Sequence, residues 1–228
     1  MDKEIRKQYS HRKAFYISLL LYTLGVIFCT VVRWLETGDI LSVLIVLASF
    51  LYLLVIPVLY GILRLKAYTL AIVLEAFIFC AFTLGTALRW YTKIWWYDLL
   101  MHGLSGLLFS LFGLCAYYLL REEKERSPRA DGWLSTAFSF CFSMMIAGMW
   151  EIIEYVLFLI TGYDSQNVPT TGVGDTMEDM MICLAGAAVF ALLQLLYTRK
   201  GKLSRLFSPA SEFCCLVTEK RSSRQEKG

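Results

Sequence analysis

Six long apolar runs divide the chain, and short polar connections separate them. A hydrocarbon layer of about 30 Å needs about 20 apolar residues in a helix that crosses it, and each run is about that long. We therefore predict an all-α, polytopic membrane protein with six transmembrane helices. The predicted spans are Ala14 to Val32, Ile40 to Ile62, Ala67 to Leu88, Trp95 to Leu120, Trp133 to Ile160 and Asp175 to Tyr197.

The composition agrees with this pattern, because 57% of the 228 residues are hydrophobic and only 18% are charged. The connections are too short to hold a second domain. We expect a basic N-terminal segment over 1–13, a membrane domain over 14–197 and a basic tail over 198–228, with both ends mobile. Arg33 and Trp34 follow the first run in place of a small-residue cleavage site, so this run is interpreted as a retained span.

The positive charges are distributed unevenly between the two faces of the predicted bundle. Of the 22 Lys and Arg residues, 19 fall on the face that holds both termini and three on the other face. The positive-inside rule therefore predicts that both termini are cytoplasmic. Basic segments at a membrane surface attract anionic lipids, so this charge indicates lipid contact and gives no reason to expect nucleic acid binding.

Cysteine and proline residues add little chemistry to this picture. Five of the seven cysteines lie inside predicted spans, where a thiol behaves as a small hydrophobe, and nothing indicates a disulfide framework. Cys214 and Cys215 in the tail are either acylated or inert. Pro57 lies inside the second span, where we expect it to kink the helix without breaking it.

Carboxylates and one histidine interrupt the last three apolar runs. They form three pairs spaced three or four residues apart, so each pair shares one helix face. The fourth and sixth spans begin on the side of the membrane where the fifth span ends, so all three pairs lie near the same membrane face. The distribution of Lys and Arg identifies this face as the outer one. The pairs are Asp98 with His102, Glu151 with Glu154, and Asp175 with Asp179.

So many ionisable groups need neutralisation, since one charge on a lipid-facing helix costs from about 2.5 kcal/mol upward. Shared protons, nearby cations such as Arg33, Arg89 or Lys93, and a bound metal are three alternatives. Several carboxylates with one histidine suit Mg, Mn, Zn or Fe better than a soft metal. Helical bundles also build metal sites from such inward-facing pairs.

Some of these residues also have a structural interpretation. Asp175 follows two glycines and would act as an N-cap, with Glu178 completing a capping box. Asp98 lies in a first helical turn, where the helix dipole favours an anion. Glu75 stands alone in the third span as a hydrogen-bonding group, and Arg89 is an interfacial anchor. The loop Thr161 to Gly174 is either a lid over the site or a passive connection.

Three segments together carry a family resemblance: YDLLMHGLSG, WEIIEY and GDTMEDMMICLAGA, within Trp96 to Ala188. They resemble the YjdF-type family of bacterial inner-membrane proteins of unknown function and, in outline, VanZ-type membrane proteins. The chain departs from the family at Leu99, Gly174 and Glu178. The resemblance implies a bacterial inner-membrane location and site residues at Asp98, His102, Glu151, Glu154, Asp175, Thr176 and Asp179.

The leading functional hypothesis is an intramembrane, metal-dependent enzyme that acts at the outer leaflet on a lipid or lipid-linked envelope substrate. The metal ligands would be Asp98, His102, Glu154 and Asp179, and either Glu151 or Asp175 would serve as general base. A cation- or proton-coupled transporter is the second hypothesis, although no inverted repeat is evident. A scaffold with a structural polar core is the third.

Overall fold

The computed structural model describes residues 3–63, 65–121, 128–162, 172–200 and 207–225, and within these ranges the secondary structure is helical. Six helices among them are long and apolar enough to cross a membrane, which confirms the six predicted spans. They cover His11–Thr37, Ile40–Ile62, Tyr68–Ala87, Tyr97–Leu120, Ala130–Thr161 and Gly174–Thr198. The cytoplasmic location of both termini rests on the charge count and stays a prediction.

The second span consists of three consecutive helices joined by turns, within one helical span from Ile40 to Ile62. Helix α1 covers Lys3–Thr37, and the second span follows it as α2 (Ile40–Leu47), α3 (Ser49–Tyr52) and α4 (Val55–Leu63). Pro57 has no N–H to donate to the carbonyl of Leu53, four residues earlier. That carbonyl accepts from the N–H of Ile56 instead, at 3.1 Å. The tighter hydrogen bond distorts one helical turn, and the backbone at Leu53 keeps a right-handed helical conformation with φ of −65° and ψ of −20°.

The third span changes its helical type halfway along. Helix α5 covers Tyr68–Ile78 and continues directly into a π-helix over Phe79–Ala87. The N–H of Leu88 then donates to the carbonyl of Thr83, five residues back, at 3.1 Å. Arg89 adopts a left-handed conformation with φ of 62° before the short helix α6, Trp90–Lys93.

One compact unit comprises 1–97 and 211–228. Its apolar core is formed by α1, the second span and the third span, and Tyr22, Val26, Val46 and Ile78 are buried in it. The hydroxyl of Tyr22 donates to the carbonyl of Ser49 at 3.0 Å, which ties the first span to the second span.

The basic tail contains a helix where the sequence predicted a mobile end. Helix α7 covers Tyr97–Leu120, α8 covers Pro128–Thr161, α9 covers Gly174–Lys200 and the tail helix α10 covers Ser208–Gln225. Glu212 of α10 accepts hydrogen bonds from the backbone N–H and the hydroxyl of Thr69, and its carboxylate lies 3.3 Å from Nδ1 of His11. Because Phe213 and Val217 are also buried, the expectation of a mobile tail is wrong for these residues.

The second compact unit comprises 98–210 and contains most of α7 together with α8 and α9. A stripe of buried serines at four-residue spacing, Ser135, Ser139 and Ser143, runs along α8. Ser143 donates to the carbonyl of Gly106 at 2.9 Å, and the amide nitrogen of Gln194 donates to Ser135 at 3.0 Å. Hydrogen bonds of this kind connect α8 to both neighbouring helices in a bilayer.

Parts of two sequence predictions lie outside the described residues. The loop proposed as a lid includes 163–171, and the basic tail includes 201–206 and 226–228.

Candidate functional site

The first part of the site is the beginning of α7. Asp98 lies in the first turn and His102 one turn later, so the helical repeat brings both side chains to one face. Nε2 of His102 lies 3.5 Å from Oδ1 of Asp98. The His102 side chain is 14% exposed and the Asp98 side chain is 37% exposed. The pair therefore has a mostly buried member, His102, and a more exposed member, Asp98, at the end of the helix.

Helix α9 supplies a third ligand atom from the other side of the histidine. Oδ2 of Asp179 lies 3.5 Å from the same Nε2 atom, and the Asp179 side chain is only 6% exposed. Asp98, His102 and Asp179 each offer one ligand atom, and these three atoms lie within 4.8 Å of one another. Two carboxylates from two helices therefore converge on one imidazole nitrogen.

Glycines explain why α7 and α9 approach closely enough to form this group. A Cβ atom on Gly186 would collide with the carbonyl oxygen of Gly103, and one on Gly106 would collide with the carbonyl oxygen of Cys183. Helices in a membrane pack at backbone contact where small residues face each other. The glycines therefore set the short separation of α7 and α9 next to the site.

The thiol of Cys183 makes polar contacts beside the histidine. It donates to the backbone carbonyl of His102 at 3.2 Å and lies 3.1 Å from the hydroxyl of Ser105. This polar role differs from the expectation that a cysteine inside a span behaves as a small hydrophobe. The available signal was spacing, because Cys183 follows Asp179 by one helical turn and therefore shares its face.

Helix α8 contributes two carboxylates to the same region. Glu151 is buried, and Glu154 is half-buried and accepts a hydrogen bond from the Trp150 side chain. Glu154 interacts electrostatically with Glu151, His102 and Asp98, and Glu151 does so with Asp179. The three predicted pairs thus belong to one electrostatic cluster, although Glu154 lies outside the group of three converging ligand atoms.

The start of α9 does not match the capping interpretation of Asp175. The helix begins at Gly174, and the carbonyl of Val173 accepts the N–H of Met177. Because the residue whose carbonyl accepts the first helical bond is the N-cap, that position belongs to Val173. Asp175 lies inside the first turn, where it interacts electrostatically with Asp179. Thr176 is half-buried and Glu178 is exposed.

Two of the three cations suggested as neutralising partners are engaged with another carboxylate. Nη1 of Arg33 lies 3.3 Å and Nζ of Lys93 lies 3.2 Å from the carboxylate of Glu36. Their charges therefore serve a separate ion-pair group in the first unit. Proton sharing, metal binding and the charge of Arg89 remain as alternatives for compensating the carboxylates of the cluster.

Comparison with known proteins gives one match. A family model with the description "Predicted membrane protein (DUF2238)" matches residues 15–200. This range contains all six spans except the first residues of α1, and it contains every predicted site residue. Searches of curated proteins and of solved structures find no match to the chain.

Proposed function

The chain belongs to the DUF2238 family of predicted membrane proteins, the YjdF-type family that its acidic segments resemble, and we propose that it is a membrane-embedded, metal-dependent enzyme. Its metal site consists of Asp98, His102 and Asp179, with Glu154 beside them as a further ligand. The substrate is a lipid or lipid-linked envelope compound at the outer leaflet of a bacterial inner membrane.

The observation that carries this proposal is the position of Nε2 of His102, which lies 3.5 Å from one oxygen of Asp98 and 3.5 Å from one oxygen of Asp179. These distances exceed the usual N–H···O hydrogen-bond range of about 2.7–3.2 Å. Two ligands bound about 2.0–2.1 Å from one tetrahedral zinc ion lie about 3.3–3.4 Å apart. The spacing therefore suits a shared cation better than two direct hydrogen bonds.

The donor set restricts the metal. One imidazole with two or three carboxylates suits Mg, Mn, Zn or Fe and disfavours soft copper(I). A tetrahedral ion held by the three converging ligands alone would retain an open coordination position. The chemistry that such an ion supplies is polarisation of a substrate oxygen and activation of water.

The remaining carboxylates provide the proton acceptor. Glu151 is buried and interacts electrostatically with Asp179, so it accepts the proton of the attacking water or substrate hydroxyl as general base. Asp175 is the alternative base, one helical turn before Asp179. The uneven distribution of Lys and Arg favours an outward-facing cluster, which is the reason for choosing an outer-leaflet substrate.

A metal analysis of purified protein tests the binding step. We expect stoichiometric Mg, Mn, Zn or Fe in the wild type and loss of this metal in Asp179→Asn and His102→Ala. Glu178→Gln is the matched control, because Glu178 neighbours Asp179 in sequence but is exposed, and it should retain the metal. A folded wild-type protein without metal, after incubation with each of the four ions, would contradict the proposal.

A second measurement separates catalysis from binding. Metal-loaded protein is incubated with envelope lipid extract, and products are identified by mass spectrometry. Glu151→Gln should retain the metal and lose product formation. Ion flux across reconstituted vesicles that depends on Glu151, with no product formed, would instead support the transporter hypothesis.

A further inference from the structure

A second buried carboxyl group lies in the first unit and takes no part in the proposed enzyme. Glu75 is on α5, four residues before the first residue of the π-helix, and only 2% of its surface is exposed. A buried ionisable residue in a transmembrane helix is costly and commonly marks a proton or ion site. From the sequence alone, Glu75 was expected to be only a structural hydrogen-bonding group.

The hydroxyl of Ser18 on α1 is the partner of this carboxyl group. Oγ of Ser18 lies 2.5 Å from Oε2 of Glu75 and 2.8 Å from the carbonyl oxygen of Phe15. A serine hydroxyl has one hydrogen to donate, and a carbonyl oxygen can only accept. Both contacts are full two-centre hydrogen bonds only if Glu75 itself carries a proton and donates it to Ser18.

The other oxygen of Glu75 leads to the same result. Oε1 is buried without a hydrogen-bond partner among the described residues. Leaving an ionised carboxylate oxygen bare in an apolar interior costs much more than leaving the carbonyl oxygen of a neutral acid bare. The ionisable groups that interact electrostatically with Glu75 in the described residues are the phenols of Tyr22 and Tyr60, and neither is a cation.

We propose that Glu75 is a proton-binding site of the first three spans. In its loaded state the carboxyl O–H donates to Ser18, and the Ser18 O–H donates to the carbonyl of Phe15. The proton exchanges with water through Tyr60, whose ring packs against that of Phe15 with 6.5 Å between centroids and whose hydroxyl donates to the carbonyl of Ala67 at 3.4 Å. The Tyr60 phenol also interacts electrostatically with Glu75 and Glu212. Glu212 in turn contacts Thr69 and His11 near the beginning of the third span.

Infrared difference spectroscopy of the full chain in lipid tests whether the proton is present, because a protonated carboxyl group has a C=O stretching band that a carboxylate lacks. At neutral pH, the wild-type minus Glu75→Gln spectrum should contain this band. Glu36→Gln is the matched control, since Glu36 is ion-paired with Lys93 and exposed, and its difference spectrum should lack the band. A Glu75→Gln difference spectrum without the band would overturn the proposal.

Transfer into heavy water tests exchange. The Glu75 band should shift as deuterium replaces the proton, and Tyr60→Phe should slow that shift. A band that never shifts in folded wild-type protein would mean a locked structural proton and would overturn the exchange step. Loss of the band on addition of sodium at constant pH would assign a cation site instead.

This inference is independent of the proposed enzyme. Asp179→Asn removes a metal ligand of the other unit and should leave the Glu75 band unchanged. Reaction with a hydrophobic carbodiimide gives a further check. The carbodiimide nitrogen accepts the proton of a carboxylic acid, and the carboxylate that results bonds to the carbodiimide carbon. The expected product is a peptide with Glu75 heavier by one carbodiimide, absent from Glu75→Gln.

Discussion

Nε2 of His102 lies 3.5 Å from Oδ2 of Asp179, although the two residues belong to different helices. The aspartate is almost fully buried, so its negative charge requires a compensating charge nearby. A metal ion shared by the two side chains would compensate it and would also hold α7 against α9. The site and the stability of the second unit are thereby connected.

Metal binding should therefore raise the thermal stability of the protein. A ligand that binds only the folded state contributes about 2.7 kcal/mol when its concentration is one hundred times its Kd. We expect the favoured divalent ion to raise the Tm of the wild type and a chelator to reverse the change. Asp179→Asn should show neither effect, whereas an equal shift in that variant would place the ion elsewhere.

The close contact between α7 and α9 predicts opposite results for two glycine substitutions. Gly186→Ala would force its Cβ against the backbone of Gly103, so we expect a loss of about 1–3 kcal/mol in unfolding free energy. Gly148→Ala on α8 meets no atom within 4 Å and should be neutral or stabilising by up to about 1 kcal/mol. Unfolding in mixed micelles measures both, and equal losses would argue against the contact.

The left-handed backbone at Arg89 predicts a stabilising substitution. An L-residue in this conformation is strained by roughly 1–2 kcal/mol, and glycine is not. Arg89→Gly should therefore have a higher Tm than Arg89→Ala, since both variants lack the arginine side chain and only one relieves the backbone. If the alanine variant were at least as stable, the left-handed conformation would not hold in the protein.

The loop between the first two spans predicts a pH effect on stability. Asp39 accepts the backbone N–H groups of Ser42 at 2.8 Å and Leu41 at 3.3 Å. Both bonds lower the pKa of the Asp39 carboxyl group, and the bond from Ser42 has the larger effect. Because the pKa of Asp39 is lower in the folded state than in the unfolded state, the ionised carboxylate stabilises the fold. This stabilisation is fully present above the unfolded-state pKa of about 3.9, and it is lost as the pH falls through the folded-state pKa.

Asp39→Asn separates this charge effect from the cap itself, because asparagine also caps helices. At pH 7 the wild type should have the higher Tm, and the difference between the two proteins should close as the pH falls below the folded pKa of Asp39. A difference that is constant between pH 7 and pH 3 would show that the Asp39 charge does not contribute.

The features that the sequence predicted correctly depend on neighbours along the chain. The six spans follow from runs of apolar residues, and the pairing of Asp98 with His102 follows from one helical turn. The predicted proximity of the α7 and α8 residues followed from the alternating direction of successive spans, which puts the start of α7 and the end of α8 on the same side of the membrane. The electrostatic interaction between Glu154 and His102 agrees with this prediction.

The features that it missed depend on contacts between distant residues. The sequence did not single out Asp98, His102 and Asp179 as the three residues that converge, because helix rotation is set by packing contacts such as that of Gly186 with Gly103. The helix around Glu212 was missed because the partners of this residue, Thr69 and His11, lie far away in the chain. The π-helix over Phe79–Ala87 has an apolar sequence that an α-helix would fit equally well.

The length of α8 has a consequence for the membrane itself. Its 34 residues extend about 51 Å at 1.5 Å per residue, which exceeds both the hydrocarbon core of about 30 Å and the whole bilayer of about 40–45 Å. Such hydrophobic mismatch is relieved by tilting or by emergence of a helix end. Glu151 and Glu154 lie in the last third of α8, so the thickness of the surrounding bilayer sets the depth of both carboxylates. The chain length of the surrounding lipids therefore affects the position of these carboxylates without a lipid having to bind in a pocket.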